Sequence, residues 1–223
     1  MLAVTAVRAV HFAVAVQIVG ALLFVAMMGR VPELAADRQR RYWLRAAAVL
    51  AIVAFPSAFA WLLAQAAEMT GRSPIEAWNA GAVGLLLLET HAGLVWWARF
   101  GIAAALAIVV GVLACRGGRP SEAALAVALV LAVAGFVSCA WLSHAASDGS
   151  RYGAIHLAAQ ALHMVGVALW LGGLAPFAML LPRSFRSGDG DTATAVGAIA
   201  ARFGDIALLA VGVIVTSGVI TAA

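Results

Sequence analysis

Few side chains in this 223-residue chain can do chemistry, and the most telling are five histidines: His11, His91, His144, His156 and His163. His156 and His163 stand seven residues apart, two turns along one helical face, with Gln160 between them. Imidazole nitrogens bind copper, zinc and iron, while thiolate and thioether sulfur favour cuprous copper. Sulfur is at hand in Cys139, Met164 and Met69. The chain contains no His-Glu-x-x-His motif, and no serine, histidine and aspartate fall together as a hydrolytic set would require, so a metal-binding role is expected rather than an enzyme.

Each of these residues also has a plainer reading. His11 fits a ring bonded to a neighbouring carbonyl, and His91 fits an exposed connection. His144 fits a cap at a helix C-terminus, where a protonated imidazole favours the dipole. One of His156 and His163 could bond across to another helix. Cys139 fits a small buried hydrophobe, Met69 and Met164 fit packing, and Arg99 beside Trp96 and Trp97 fits an interfacial anchor. Trp170 with Gly172 and Gly173 fits a close helix contact.

The elements that must position these groups follow from composition. The chain is 65% hydrophobic and only 11% charged, with mean hydropathy +1.02. A soluble domain carries about 25% charged residues, so a soluble enzyme, a disordered chain and a disulfide-stapled module are excluded. Residues 9–29, 46–67, 100–115, 123–147, 152–182 and 206–223 contain no Arg, Lys, Asp or Glu. A helix needs about 20 apolar residues to cross the hydrocarbon core. Backbone in lipid must satisfy its own hydrogen bonds, so these runs are helices. The expectation is an all-α polytopic membrane protein, one transmembrane domain over 1–223. Its six helices fall near 5–29, 43–67, 93–115, 122–145, 153–181 and 202–222. The first run is too long for a signal-peptide core and is read as retained. Cys115 and Cys139 fall at opposite ends of consecutive helices, too far apart to bridge.

Between the second and third helices, Ser73-Pro74-Ile75-Glu76 has the form of a capping box with proline at the first helical position. It predicts a short external helix, with Leu85–Leu88 lying against the bundle rather than crossing it. Pro56 is expected to kink the second helix.

All 14 basic residues are arginines. Ten fall in the 1–2, 3–4 and 5–6 connections, and the other side holds Arg8, Arg72 and Arg151, with Arg99 just inside the third helix. Positive-inside reasoning puts those three connections in the cytoplasm and the N-terminus outside, in the periplasm. All five histidines then fall in or near the outer half, His163 about 10 Å deeper than His156. An imidazole in lipid needs a partner or a wet cavity, so the His156/His163 face is expected to point into the bundle, toward His11 and His144. The basic pI near 10 reflects arginines at helix ends rather than a nucleic-acid surface.

Five segments, in order, resemble the CopD copper-resistance membrane proteins. They are VRAVHFAVAVQIVGALLF (7–24), LETHAGLVWWARFG (88–101), WLSHAA (141–146), HMVGVALWLGGLAPFAML (163–180) and RFGDIALLAVGVIVTSGVITA (202–222). Ser143 replaces the glycine expected before the fourth-helix histidine, and Ser217 intervenes between Thr216 and Gly218. The resemblance implies a protein of bacterial copper homeostasis in the inner membrane. Such a protein takes copper from the periplasm toward the cytoplasm, often beside a periplasmic copper carrier of the CopC type. It carries over His11, His144 and His163 as ligands, while His156 rests on spacing. Family members usually continue with further helices, so the chain is expected to be truncated at its C-terminus or a short variant.

The resulting expectation is a copper ion, of undetermined oxidation state, bound by His144 and His156 at the outer rim and handed to His163 and His11. Cys139 or Met164 would assist a cuprous ion. The rivals are a b-type haem protein, which would need facing imidazoles such as His11 and His163, and a non-transporting partner or sensor for a copper carrier.

Overall fold

The computed structural model describes residues 2–29, 37–116, 119–143, 151–186 and 190–222. Helices account for nearly all of them: α1 (Leu2–Met28), α2 (Asp37–Thr70), α3 (Pro74–Asn79), α4 (Ala82–Glu89), α5 (His91–Arg116), α6 (Glu122–Val137), α7 (Gly153–Arg186) and α8 (Gly190–Ala222). A 3-10 segment, Ser138–Leu142, continues α6. Six stretches are long and apolar enough to cross a membrane: Val4–Met28, Arg38–Thr70, His91–Arg116, Glu122–Leu142, Gly153–Pro182 and Ala193–Ala222. The chain is an all-α, multi-pass membrane bundle.

Helix ends depart from the charge-free windows for a physical reason. Arginine and glutamine are good helix formers, so α2 begins at Asp37 and takes in Arg38, Arg40 and Arg41. Likewise α8 begins at Gly190, carrying Arg202 and Asp205 inside it rather than at its start. A run without charges marks the bilayer, not the helix. The sixth element of the sequence reading thus starts a full three turns early. α6 gives way to tighter 3-10 winding at Ser138, whose hydroxyl donates to the Gly135 carbonyl at 2.7 Å.

α1 is the axis. Ile18, Val19, Leu22, Phe24 and Val25 are all buried, which puts protein on every side of the helix. It packs against α2, α6 and α7, while α8 leans chiefly on α7 and exposes Leu208, Leu209, Val215 and Val219 to its surroundings. The Gly172-Gly173 pair explains how α7 can serve two neighbours. A Cβ on Gly172 would stand 2.4 Å from the Val16 carbonyl oxygen of α1, and one on Gly20 would stand 1.8 Å from the Gly172 oxygen. A Cβ on Gly173 would meet the Phe203 ring of α8 at 2.3 Å. Successive helical residues point about 100° apart, so two adjacent glycines open two faces of one helix to backbone-close packing.

At the end of the bundle where α1 begins, the capping box forms as expected. The Glu76 amide donates to Ser73 Oγ at 3.3 Å, and the Ser73 amide donates to Glu76 Oε2 at 2.9 Å. α4 holds the Leu85–Leu88 run as a short helix packed on α5 and α2.

Candidate functional site

The site is built around His11. Its ring is 6% exposed, on the α1 face that meets α2 and α5. Nδ1 lies 2.9 Å from Ser57 Oγ, and that hydroxyl donates its own proton to the Ala54 carbonyl at 2.9 Å. Ser57 must therefore accept, which makes Nδ1 the protonated nitrogen and leaves the Nε2 lone pair for a donor or a metal. In this structure Arg99 takes it: Nη2 donates to His11 Nε2 at 2.8 Å.

Arg99 is the residue that sequence reasoning misplaced. Read as an interfacial anchor, it is instead only 5% exposed and enters the bundle between α1, α2 and α6. Nη1 donates to Ser138 Oγ at 2.9 Å and reaches Cys139 Sγ, with the Gly135 carbonyl at 3.5 Å. The guanidinium sits 5.1 Å from the centroids of both Trp61 and Trp96, and Trp96 is fixed by its Nε1 hydrogen bond to Gln65 Oε1 at 3.1 Å. Among the described residues Arg99 Nε has no hydrogen-bond partner. Burying a guanidinium is costly, and two aromatic faces with several charge-assisted hydrogen bonds offset that cost. A signal for Arg99 did exist: an ionisable residue inside an apolar run is a functional candidate.

Arg99 touches residues of two spaces. One is a pocket of about 370 Å³ at the α1-start end, lined by Thr5, Arg8, Trp61, Cys139, Gln160 and Met164 among others. The second lies one to two turns deeper, has about 40 Å³, and is bounded by His11, Arg99 and apolar side chains such as Ala15, Ile18, Leu106 and Phe136. The pocket brings two buried sulfur side chains, Cys139 and Met164, to one wall system.

The remaining candidates are more scattered than the spacing implied. His163 is half-buried, and its Nδ1 lies 3.2 Å from both the Ile214 carbonyl and Ser217 Oγ on α8. Its ring nitrogen meets α8, whereas Gln160 and Met164 supply the α7 side of the pocket shared with α1. His156 is half-buried in the first turn of α7. His144 lies outside the described residues. His91 opens α5 exposed, and Met69 is 64% exposed at the end of α2. Among the described residues no three His, Cys, Asp or Glu side chains gather as a metal-binding group. His11 and His163 nonetheless share one property, a protonated Nδ1 held by a hydroxyl or carbonyl, which is the orientation a ligating imidazole requires.

Fold and site together define a multi-pass helical membrane protein with a buried arginine-histidine-cysteine cluster beneath a sulfur-lined pocket. Residues 1–154 match the family model described as copper resistance protein D-like, N-terminal domain. The chain belongs to that family. No curated protein and no solved structure matches it.

Proposed function

We propose that this protein binds copper at the pocket beside Arg8, Cys139 and Met164 and moves it across the bacterial inner membrane toward the cytoplasm. The carrying observation is the placement of two buried sulfur atoms in one pocket, directly above the buried His11 cluster. Sulfur with imidazole selects soft, cuprous copper over harder ions. In this reading the N-terminus is periplasmic, which the arginine distribution supports, and the pocket faces the compartment where a CopC-like carrier would deliver the ion. His144 follows Ser143, which lines the pocket, and stays with His156 as a rim ligand; His163 and His11 lie deeper. Copper is the cargo, and no enzymatic step is involved.

Copper accumulation in cells tests this. Cells expressing the wild type should accumulate more copper than cells without it, and Cys139→Ser with Met164→Leu should abolish the difference, with His156→Ala and His163→Ala reducing it. Unchanged accumulation in every variant would overturn the route. Unchanged accumulation with copper still bound would make the protein a sensor or docking partner. A Soret band in the purified protein would favour haem, although Arg99 on His11 Nε2 and α8 on His163 give a His11/His163 haem pair no support.

A further inference from the structure

The Arg99 guanidinium occupies an unusual position for a structural cross-link. It holds the lone pair of His11 Nε2 with one nitrogen and meets Cys139 Sγ with the other, so one planar group touches two atoms that bind soft metals. His11 is already neutral with Nε2 as its acceptor, so the ring needs no deprotonation to become a ligand. Arg99 also contacts both spaces, meeting Cys139 and Trp61 of the upper pocket while itself bounding the lower one. Among the described residues its hydrogen-bond partners are neutral groups, and its Nε has none. The side chain is thus buried as a cation without using its full donor set.

We propose that Arg99 is a resident cation holding the place of a cuprous ion: it occupies His11 Nε2 and Cys139 Sγ, separates the upper pocket from the lower space, and gives way when copper arrives. This rests on the copper reading above. Two positive charges cannot share that buried spot, because arginine stays protonated and like charges repel strongly away from water. Entry of the ion therefore requires the guanidinium to leave. When it does, the Cys139 S–H bond breaks, a sulfur–copper bond forms, and the proton leaves through the upper pocket; Nε2 donates its lone pair to the ion. Copper stays monovalent, so no electron donor or acceptor is needed. Imidazole plus thiolate suits the low coordination number of a cuprous ion. Withdrawal of Arg99 would also uncover the lower space, so loading and opening become one event.

Competition titration of purified full-length protein with Cu(I) and a chromogenic chelator, without oxygen, tests the exchange. Arg99→Leu removes the competing cation without adding a metal ligand, and we expect it to bind Cu(I) tighter by about tenfold or more. The gain should vanish in Arg99→Leu/Cys139→Ser. A folded Arg99→Leu protein with unchanged or weaker affinity, or a gain that survives loss of Cys139, would overturn the proposal. Should Arg99→Leu not fold, Trp61 and Trp96 report on the wild type. Titration with Ag(I) should change their emission as the guanidinium withdraws, saturating at one ion per chain, and Cys139→Ser should abolish the change. An identical response in Cys139→Ser, or no response in the wild type, overturns it. Failure here with copper still accumulating in wild-type cells would sink only the exchange. Absence of copper accumulation would sink the broader function.

Discussion

A hydrogen bond inside a membrane bundle matters most for what it forbids, and Ser57 shows this at the scale of single residues. Its hydroxyl donates to Ala54 and accepts from His11, which fixes the imidazole as the Nδ1–H tautomer. Ser57→Ala leaves that N–H buried without an acceptor. Such a loss costs about 1–3 kcal/mol, and thermal unfolding in detergent should show the variant destabilised by that order. No destabilisation would mean that the ring takes the other tautomer and that Arg99 no longer bonds Nε2. The importance of His11 was readable from the sequence, because an imidazole inside an apolar window needs a partner. The identity of the partner was not. Arg99 bounds the third apolar window, and its depth depends on Ser138 and Cys139, 39 and 40 residues further along, and on Trp61 of α2. The His156/His163 spacing puts both rings on α7 two turns apart. Which neighbour they meet depends on how α7 packs, and His163 lies against the Ile214 carbonyl of α8 rather than against His11, which a one-dimensional period does not encode.

At the scale of the element, the decisive contacts are made by residues that have no side chain of their own. Gly20, Gly172 and Gly173 let α7 touch α1 and α8 with backbone against backbone and against the Phe203 ring. Gly172→Ala forces a Cβ into the Val16 carbonyl, and overpacking of this kind typically costs about 1–3 kcal/mol. Gly101→Ala, in α5, meets nothing within 4 Å and should change stability by less than about 1 kcal/mol. Chemical denaturation of the two variants side by side checks the contrast, and equal effects would contradict the packing. The Trp170–Leu174 string is legible in the sequence as a close helix contact, but the division of labour between its two glycines emerges only from the fold. The α3 cap carries a separate expectation. The Ser73 backbone N–H, followed by its hydroxyl, holds the Glu76 carboxyl below the usual carboxylate range. A group with a depressed pKa supports the folded form above its unfolded pKa and loses that support as pH falls through its folded value. The cap should therefore persist from neutral pH down through the ordinary carboxylate range and loosen only in stronger acid. An NMR titration of Glu76 that shows an unshifted midpoint would remove the carboxylate from the cap.

At the scale of the whole molecule, the two ends of the bundle differ in the side chains they carry. Cys139, Met164, His11 and His156 lie toward the end where α1 begins, whereas the opposite end carries Arg38, Arg40, Arg41 and Arg119 and a pocket lined by Arg40, Arg119 and Glu122. There Arg119 donates to the Gly29 carbonyl, tying the start of α6 to the end of α1. An ion received at the first end would leave through the second, and only the orientation in the bilayer decides which compartment each faces. Cys115 reports on that orientation without any added reporter. It is exposed in the last turn of α5, at the end opposite the sulfur pocket, while Cys139 is buried. A periplasmic N-terminus puts Cys115 on the cytoplasmic side. In Cys139→Ser protein, a membrane-impermeant maleimide should therefore leave Cys115 unlabelled in intact spheroplasts and label it in inverted vesicles. The reverse pattern would turn the pocket toward the cytoplasm, and the same cluster would then be a site for loading copper outward.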